Sequence, residues 1–173
     1  RYGLDLYGKF ALPELLRKLC KIENLMWIRL LYCYPDCITD ELIDTIASEQ
    51  KIVKYLDLPL QHASGKILRA MNRRGDRGSL TALLNKLRER VPGIVLRTTL
   101  ITGFPSETEE DFTELAEFVR DIRFERLGCF AYSREEGTPA ADLPDQVEEE
   151  VKRRRADIIM EQQMEIMQEY GES

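Results

Sequence analysis

The feature that most constrains the fold is a repeated order of segments, in which a short apolar strand is followed by an amphipathic helix. Four segments have the apolar and β-branched character of strands: Trp27–Tyr32, Tyr55–Leu60, Ile94–Ile101 and Leu127–Tyr132. Their centres lie roughly 30 to 40 residues apart, which is typical of βα units with parallel strands and right-handed crossovers. Four strands are too few to close a barrel. We therefore predict an α/β fold, namely a partial, TIM-like (β/α) barrel with about four parallel strands.

Local helix signals accompany these strands. Thr39, followed by two acidic residues, predicts the start of one helix. Ser106 and Glu109 have the spacing of a capping box and predict the start of another. From about residue 145 onward the sequence has the pattern of a charged helix. We therefore divide the chain into a barrel segment, residues 1–144, and a carboxy-terminal helix, residues 145–173.

The composition limits the class of protein. With 173 residues, of which 43% are hydrophobic, the chain can bury one sizeable core. A formal net charge of -6 argues against a main nucleic-acid surface, which is normally basic. The charge suits a basic protein partner, although ordinary solubility is the simpler explanation. No apolar run approaches the roughly 20 residues that span a bilayer, so we expect a soluble, cytoplasmic protein without membrane association.

Polar residues follow the second strand at its carboxyl end. Gln61, His62 and Ser64 come after Pro59, which has no N–H and so weakens the strand ladder where the strand must open. The carboxyl ends of parallel strands are where α/β folds hold ligands. The amide and the hydroxyl suit ribose hydroxyls or an amino-acid carboxylate, so we predict a ligand site here. For His62, the only histidine, a hydrogen-bonded structural role is the preferred interpretation.

The third strand carries a second set of polar residues. Arg97 lies in an otherwise apolar strand, and a buried guanidinium needs a carboxylate partner or a ligand. With Thr98 and Thr99 it could face the barrel interior and bind a ligand carboxylate, or it could form an internal salt bridge. Beyond the strand, Gly103 would let the backbone approach a ligand closely. Glu107 would either bond the backbone N–H groups of this loop or cap the following helix.

Four short segments carry a resemblance to a known family. Together they are similar to the later part of a radical S-adenosylmethionine (SAM) methylthiotransferase: Leu58–Ser64, Met71–Arg73, Gly103–Thr108 and Tyr132–Pro139. The resemblance covers nearly the whole chain, from just after the second barrel strand to the connector before a terminal TRAM domain. It therefore implies part of a longer protein, in which the TRAM domain would follow the helix of residues 145–173.

The resemblance also implies a SAM site. Radical SAM proteins often carry a G-x-I-x-G-x-x-E pattern on the fifth strand, in which the Ile flanks adenine. Ile101, Gly103 and Glu107 resemble it, with Thr99 in the place of the first glycine and Glu107 one residue late, as in methylthiotransferases. Tyr132 opens the segment that resembles the sixth strand and its loop. The SAM-binding residues predicted on this basis are Gln61, His62, Ser64, Arg97, Thr99, Ile101, Gly103, Glu107 and Tyr132.

No catalytic side chain and no metal ligand are predicted in this sequence. The cluster loop of the superfamily has the form C-x3-C-x2-C. Cys33 and Cys37 have the first spacing, but Asp40 stands at the third position. The resemblance therefore implies [4Fe–4S] clusters whose ligands lie outside this sequence, so that these residues alone would be inactive. Cys20 and Cys129 lie in apolar surroundings and are predicted core residues.

At the level of function the resemblance implies an enzyme. Tyr32-x-Tyr-Pro35 and Gln61-His62 look more like the RimO branch, which adds a methylthio group to the β-carbon of an aspartate in the twelfth small-subunit ribosomal protein. Cleavage of SAM would yield a radical that abstracts hydrogen, and a second cluster would supply sulfur. The partners would be SAM and the ribosomal protein, and a monomer is expected.

Two alternatives remain open at the level of sequence. The MiaB branch of the same family methylthiolates a hypermodified adenosine of tRNA, and the negative charge of this chain disfavours that substrate only weakly. A different class of protein is a non-catalytic interaction module, in which the strand-end residues satisfy one another.

Overall fold

The four strands form one parallel sheet. The computed structural model describes residues 1–172 and places each strand parallel to its neighbours, in the order in which they occur in the chain. Their bounds are β1 Ile28–Leu30, β2 Ile52–Asp57, β3 Val95–Thr102 and β4 Arg126–Ala131. This sequential order is that of a barrel wall, whereas a doubly wound sheet reverses its order at a switch point. The prediction of a partial (β/α) barrel with about four parallel strands is confirmed.

Helices connect the strands, as parallel βα units require. The α-helices within residues 1–172 are α1 Leu4–Tyr7, α2 Leu12–Cys20, α3 Asp40–Ser48, α4 Gly65–Ala70, α5 Arg77–Arg90, α6 Glu109–Ile122 and α7 Glu149–Glu172. Two short 3-10 helices cover Pro35–Cys37 and Pro139–Asp142. Helix α3 lies between β1 and β2, the pair α4 and α5 between β2 and β3, and α6 between β3 and β4.

Of the two predicted helix starts, one is confirmed and one is wrong. Thr39 caps α3, its hydroxyl oxygen accepting a backbone N–H of the first turn at 3.2 Å. The capping box of α6 is formed by Thr108 and Asp111 rather than by Ser106 and Glu109. Ser106 has a φ of 71°, a left-handed turn conformation that does not fit the extended backbone of an N-cap.

Burial alternates along β3, which shows that the helices cover one face of the sheet. The even-numbered residues from 96 to 102 are buried and the odd-numbered ones are half-buried, because successive side chains of a strand point to opposite faces. The prediction that Thr98 shares a face with Arg97 and Thr99 is therefore wrong. The Thr98 hydroxyl donates to the carbonyl oxygen of Leu58 in the buried layer, at 2.8 Å. We call the other side, with Arg97, Thr99 and Ile101, the open face.

The carboxy-terminal helix packs on the sheet. Helix α7 begins at Glu149, slightly later than predicted, and its Ile159 and Ile166 are buried in the common core. Ser173, the last residue of the predicted helical segment, lies outside the described residues. The division between residues 144 and 145 stays a prediction. No helix within residues 1–172 is both long and apolar enough to cross a membrane.

Candidate functional site

The open face of β3 is centred on Arg97. Its Nη1 donates to Oδ1 of Asp57 at 3.0 Å and to the hydroxyl oxygen of Thr99 at 3.3 Å. Asp57 is the in-register neighbour on β2, and only 5% of its side chain is exposed. Of the two roles predicted for Arg97, the internal salt bridge is therefore present. The Arg97 side chain is 37% exposed, and its remaining N–H groups have no protein partner among residues 1–172, so donors are left for a ligand.

Gln61 adjoins the same part of β3 through its backbone. Its N–H donates to the carbonyl oxygen of Thr99 at 2.9 Å, and its own carbonyl oxygen accepts the N–H of Ile101 at 2.8 Å. Gln61 has a φ of 73°, which is unfavourable for a residue with a side chain. Such a backbone persists only where its surroundings determine it, and it occurs preferentially at ligand sites. The structure thus brings Gln61, Thr99 and Ile101 together, with Arg97 two residues before Thr99.

The open face continues onto β4 with residues that sequence reasoning missed. Gly128 pairs with Thr99, and Phe130 pairs with Ile101. Paired residues of neighbouring strands point to the same face, and Phe130 is 62% exposed. Gly128 has no side chain, and the Phe130 ring lies over it, with Cε2 3.6 Å from where a Cβ of Gly128 would lie. The two-residue period of the strand, which places Gly128 and Phe130 on one face, was the signal that could have identified them.

Four of the predicted residues lie in a buried network at the strand ends rather than on the open face: His62, Ser64, Gly103 and Glu107. The side chains of His62 and Glu107 have no exposed surface. Nδ1 of His62 accepts the backbone N–H of Ser64 at 3.0 Å, so Nε2 carries the hydrogen of the neutral ring and donates to Oε2 of Glu107 at 2.8 Å. The hydrogen bonds expected in the preferred interpretation of His62 are therefore present, and its structural role stays a prediction.

Glu107 is the centre of this network. Its Oε1 accepts the backbone N–H of Gly103 at 2.9 Å and Nη1 of Arg155 at 2.8 Å. With His62 on Oε2, the buried carboxylate has three donors, one of them charged. Of the two roles predicted for Glu107, the structure shows the one that holds the loop, because Thr108 caps α6. Arg155 was missed because it lies 48 residues from Glu107, and no local pattern connects them.

Ser64 takes part in a second buried pair. Its hydroxyl donates to Oδ1 of Asp111 at 2.8 Å, and Nζ of Lys66 lies 2.6 Å from Oδ2. Burial raises the pKa of Asp111, but hydrogen bonds from Lys66, from the Thr108 N–H and from Ser64 outweigh it and lower that pKa to about 2. Asp111 is therefore ionised at neutral pH, and the Ser64 hydroxyl is committed to it.

Gly103 is required by a contact with α7. It has a φ of 74°, and a Cβ atom at this position would lie 1.9 Å from Cγ of Lys152. The Lys152 side chain is 2% exposed, and its backbone carbonyl oxygen accepts the hydroxyl of Thr102 at 3.0 Å. The space beside the glycine is thus filled by the aliphatic stem of Lys152.

Tyr132 follows β4 and carries an unsatisfied polar atom. Its ring packs edge-on against Phe104 with 5.3 Å between ring centres, and its backbone N–H donates to the carbonyl oxygen of Thr102 at 2.8 Å. The Tyr132 hydroxyl is buried and has no hydrogen-bond partner among residues 1–172. Leaving such a group unpaired costs about 1–3 kcal/mol.

The cysteines are not arranged as a metal site within residues 1–172, where no three His, Cys, Asp or Glu side chains are grouped to hold an ion. Cys33 and Cys37 line a cavity of about 240 Å³ at the carboxyl end of β1. Burial raises the pKa of Cys33 and so keeps it a thiol. Burial raises the pKa of Cys129 to about 12, in accord with its predicted place in the core. Cys20 is half-buried and packs against the same core.

Comparison with known sequences identifies the family. Residues 8–119 match the model of the radical SAM superfamily. The chain is 58% identical to the ribosomal protein uS12 methylthiotransferase RimO of Lachnoclostridium phytofermentans over 99% of its length. It is 54% identical to the protein of the same name from Desulfitobacterium hafniense over 98% of its length. These alignments cover 39% and 38% of the two relatives, so the chain spans about two fifths of their length.

Solved structures share the fold at low sequence identity. Coproporphyrinogen III oxidase (HemN) of Escherichia coli, described as a radical SAM enzyme, has a TM-score of 0.63 at 22% identity, covering 92% of this chain and 36% of that one. Elp3 of Methanocaldococcus infernus has a TM-score of 0.56 at 15% identity, covering 80% and 32%. Together with the sequential parallel sheet, the family model and the curated relatives show that this chain belongs to the radical SAM superfamily and, within it, to the methylthiotransferase family of the RimO type.

Proposed function

We propose that this chain is the SAM-binding sheet of an enzyme that adds a methylthio group to the β-carbon of an aspartate in ribosomal protein uS12. The substrate is supported by the names of relatives that are 54% and 58% identical to this chain. The observation that carries the proposal is the open face, where a partly exposed Arg97 lies near Gln61, Thr99 and Ile101. These residues would bind and orient SAM, and the rest of the longer protein would complete the enzyme.

The chemistry of the open face fits SAM. This cofactor presents a carboxylate, ribose hydroxyls and an adenine ring. The spare N–H groups of Arg97 suit the carboxylate, and the amide of Gln61 and the hydroxyl of Thr99 suit the ribose. Ile101 and the exposed ring of Phe130 offer apolar surface for the adenine. The unpaired hydroxyl of Tyr132 would gain a hydrogen bond from a polar ligand near the end of β4.

The buried members of the predicted set would act on SAM indirectly. His62, Ser64, Gly103 and Glu107 satisfy one another and their buried neighbours through the hydrogen bonds described above. His62 follows Gln61 directly in the chain, and Gly103 follows Ile101 by two residues. We therefore assign to these four residues the task of holding the ligand-contacting residues in place.

When bound, SAM and an iron–sulfur cluster would supply the radical chemistry needed for hydrogen removal at the substrate carbon. We assign the [4Fe–4S] ligands to other parts of the longer protein, since Cys33 and Cys37 have Asp40 where a third cysteine is needed. The residues of this chain bind SAM, fix its orientation and exclude water. The proposal includes a monomeric, cytoplasmic enzyme in which a TRAM domain follows α7.

The binding site is tested by replacing Arg97 in the intact, cluster-loaded protein. Arg97→Ala should weaken SAM binding in anaerobic calorimetry by about tenfold or more, because a hydrogen bond to a charged group contributes about 1.5–3 kcal/mol. Arg120→Ala, which removes an exposed arginine from α6, is the matched control and should bind SAM normally. Equal SAM affinity in both variants would contradict the proposed site.

The substrate is tested by offering the intact enzyme both uS12 and tRNA. The proposed function predicts a mass gain of one methylthio group on the aspartate-containing peptide of uS12. A modified tRNA with unmodified uS12 would instead support the tRNA-modifying branch. An intact, cluster-loaded protein that neither binds SAM nor modifies either substrate would support the interaction module.

A further inference from the structure

Helix α7 contributes the only cation that contacts the Glu107 carboxylate within residues 1–172. Nη1 of Arg155 lies 2.8 Å from Oε1 of Glu107 and also donates to the Glu107 backbone carbonyl oxygen at 3.2 Å. The Arg155 side chain is 8% exposed and the Glu107 side chain is fully buried. Removing one partner of a buried ion pair leaves an uncompensated charge and is strongly destabilising. The position of the carboxylate therefore depends on Arg155.

The Glu107 carboxylate is hydrogen-bonded to both strand ends that carry the proposed SAM-binding residues. Oε2 holds the ring of His62, the residue after Gln61, and Oε1 holds the N–H of Gly103, two residues after Ile101. Gln61 and Ile101 are themselves hydrogen-bonded to each other at 2.8 Å. A closed circuit of contacts thus links one side chain of α7 to the two residues that flank the candidate site.

A second contact joins the same helix to the same loop. The Lys152 stem fills the space beside Gly103, and the Lys152 carbonyl oxygen accepts the Thr102 hydroxyl. Helix α7 can therefore leave the end of β3 only if this packing and the Arg155 ion pair break together. The left-handed backbone of Gln61, at φ 73°, needs such surroundings in order to persist.

We propose that Arg155 is a positioning residue for the SAM site, and that docking of α7 and binding of SAM are thermodynamically coupled through the Arg155–Glu107 pair. The coupling rests on the proposed function, since it concerns the same site. It is reciprocal: a docked α7 orders the strand ends for SAM, and bound SAM stabilises the docked α7. Arg155 touches neither SAM nor the reacting atoms and acts only through Glu107.

The first experiment measures SAM affinity of the intact, cluster-loaded protein by equilibrium dialysis. Arg155→Ala should weaken SAM binding by about tenfold, within the usual range for coupled sites, and Arg155→Lys should restore most of the affinity because it returns a cation to Glu107. Arg88→Ala is the matched control. Arg88 also joins a helix to a strand-end glutamate, Glu125, but at the other end of the sheet. Its replacement should lower the melting temperature without changing SAM affinity.

The main measurement of the second experiment uses the unsubstituted protein and so does not depend on the folding of a variant. Hydrogen–deuterium exchange of the unsubstituted protein should slow in the first turns of α7, residues 149–156, when SAM is added. In Arg155→Lys this protection should be smaller, because a lysine cannot bond the Glu107 carboxylate and carbonyl oxygens as the guanidinium does.

The outcomes separate the two ideas. The coupling would be overturned if Arg155→Ala bound SAM as tightly as the unsubstituted protein, or if Arg88→Ala weakened SAM binding as much as Arg155→Ala. It would also be overturned if added SAM did not change hydrogen exchange in α7. Failure of the unsubstituted protein to bind SAM would instead overturn the proposed function. Normal binding with an unaffected α7 would leave the proposed function standing and remove only the role of Arg155.

Discussion

The two ends of strand β3 are held by the same arrangement of groups in different surroundings. At the amino end, Oε2 of Glu125 accepts the N–H of Leu96 at 2.8 Å, while Oε1 lies 3.2 Å from Nη2 of Arg88. At the carboxyl end, Glu107 accepts the N–H of Gly103 and pairs with Arg155. The exposed fractions are 24% for Glu125 and 29% for Arg88, against 0% for Glu107 and 8% for Arg155.

The difference teaches that the surroundings decide what an arginine–glutamate pair does. Water can replace either partner at the amino end, and a pair of that kind contributes about 1 kcal/mol or less. At the carboxyl end of β3 both side chains are buried, so solvent cannot readily replace a lost partner, and a broken pair costs about 3–5 kcal/mol. The Arg88–Glu125 pair therefore adds a little stability. The Arg155–Glu107 pair determines where the backbone at the carboxyl end of β3 lies.

The largest expected effect comes from neutralising each glutamate in turn. Glu107→Gln should lower the free energy of unfolding by about 3–5 kcal/mol, because the buried Arg155 cation would keep only the exposed carboxylate of Glu109, 3.7 Å away, as a counter-charge. Glu125→Gln should lower it by about 1 kcal/mol or less. Urea unfolding of both variants measures the two losses in the free energy of unfolding. Equal losses would mean that burial does not distinguish the two ends.

A comparison of two glycines sharpens the picture of the carboxyl end. Gly93 and Gly103 both have positive φ, 77° and 74°, but a Cβ at Gly93 would have no atom within 4 Å. Gly93→Ala should therefore cost only the backbone strain, about 1–2 kcal/mol. Gly103→Ala should cost about 1–3 kcal/mol more, because Lys152 must move. The melting temperatures of the two variants test this. An equal fall in melting temperature would show that α7 can move away from residue 103 at little cost in free energy.

Low pH should destabilise the region at the carboxyl end of β3 by protonating Asp111. Its pKa in the folded protein is about 2, below the value of about 3.9 in an unfolded chain. The stabilisation is therefore complete above about pH 4 and is lost as the pH falls through 2, a change of about 2 kcal/mol. Urea unfolding between pH 5 and about pH 2 should show this loss. Asp111→Asn should remove that part of the pH dependence, and an unchanged profile would contradict the assignment.

The smallest expected effect is that of salt. Raising the ionic strength to about 1 M shortens the screening length to about 3 Å and weakens exposed pairs more than buried ones. A double-mutant cycle on Arg88 and Glu125 should therefore give a coupling energy that falls with salt, by about 0.5 kcal/mol or less. The same cycle on Arg155 and Glu107 should change little. Equal salt dependence at both ends would show that water reaches the carboxyl-terminal pair.

The sheet could be predicted because each strand is a local apolar run, and the order of strands and helices leaves few arrangements open. The two faces of β3 could be derived from the alternation of side chains along a strand, which places Thr98 on the face opposite Arg97. The prediction that grouped these two residues did not apply this rule. The partners of buried polar groups that lie outside neighbouring strands could not be predicted. His62 and Glu107 are 45 residues apart, and one sequence contains no signal that pairs them. Asp57 could have been suggested as the Arg97 partner, since it is the acidic residue of the neighbouring apolar strand.

The way in which the Lys152 stem lies against Gly103 has a consequence for any shortened form of the protein. A chain cut after residue 144 would lose the neighbour of that glycine, the counter-ion of Glu107 and the aliphatic cover supplied by Ile159 and Ile166. What looks in the sequence like a tail after the last strand is thus an integral part of the folding unit. A transplanted or truncated sheet would need to carry α7 with it.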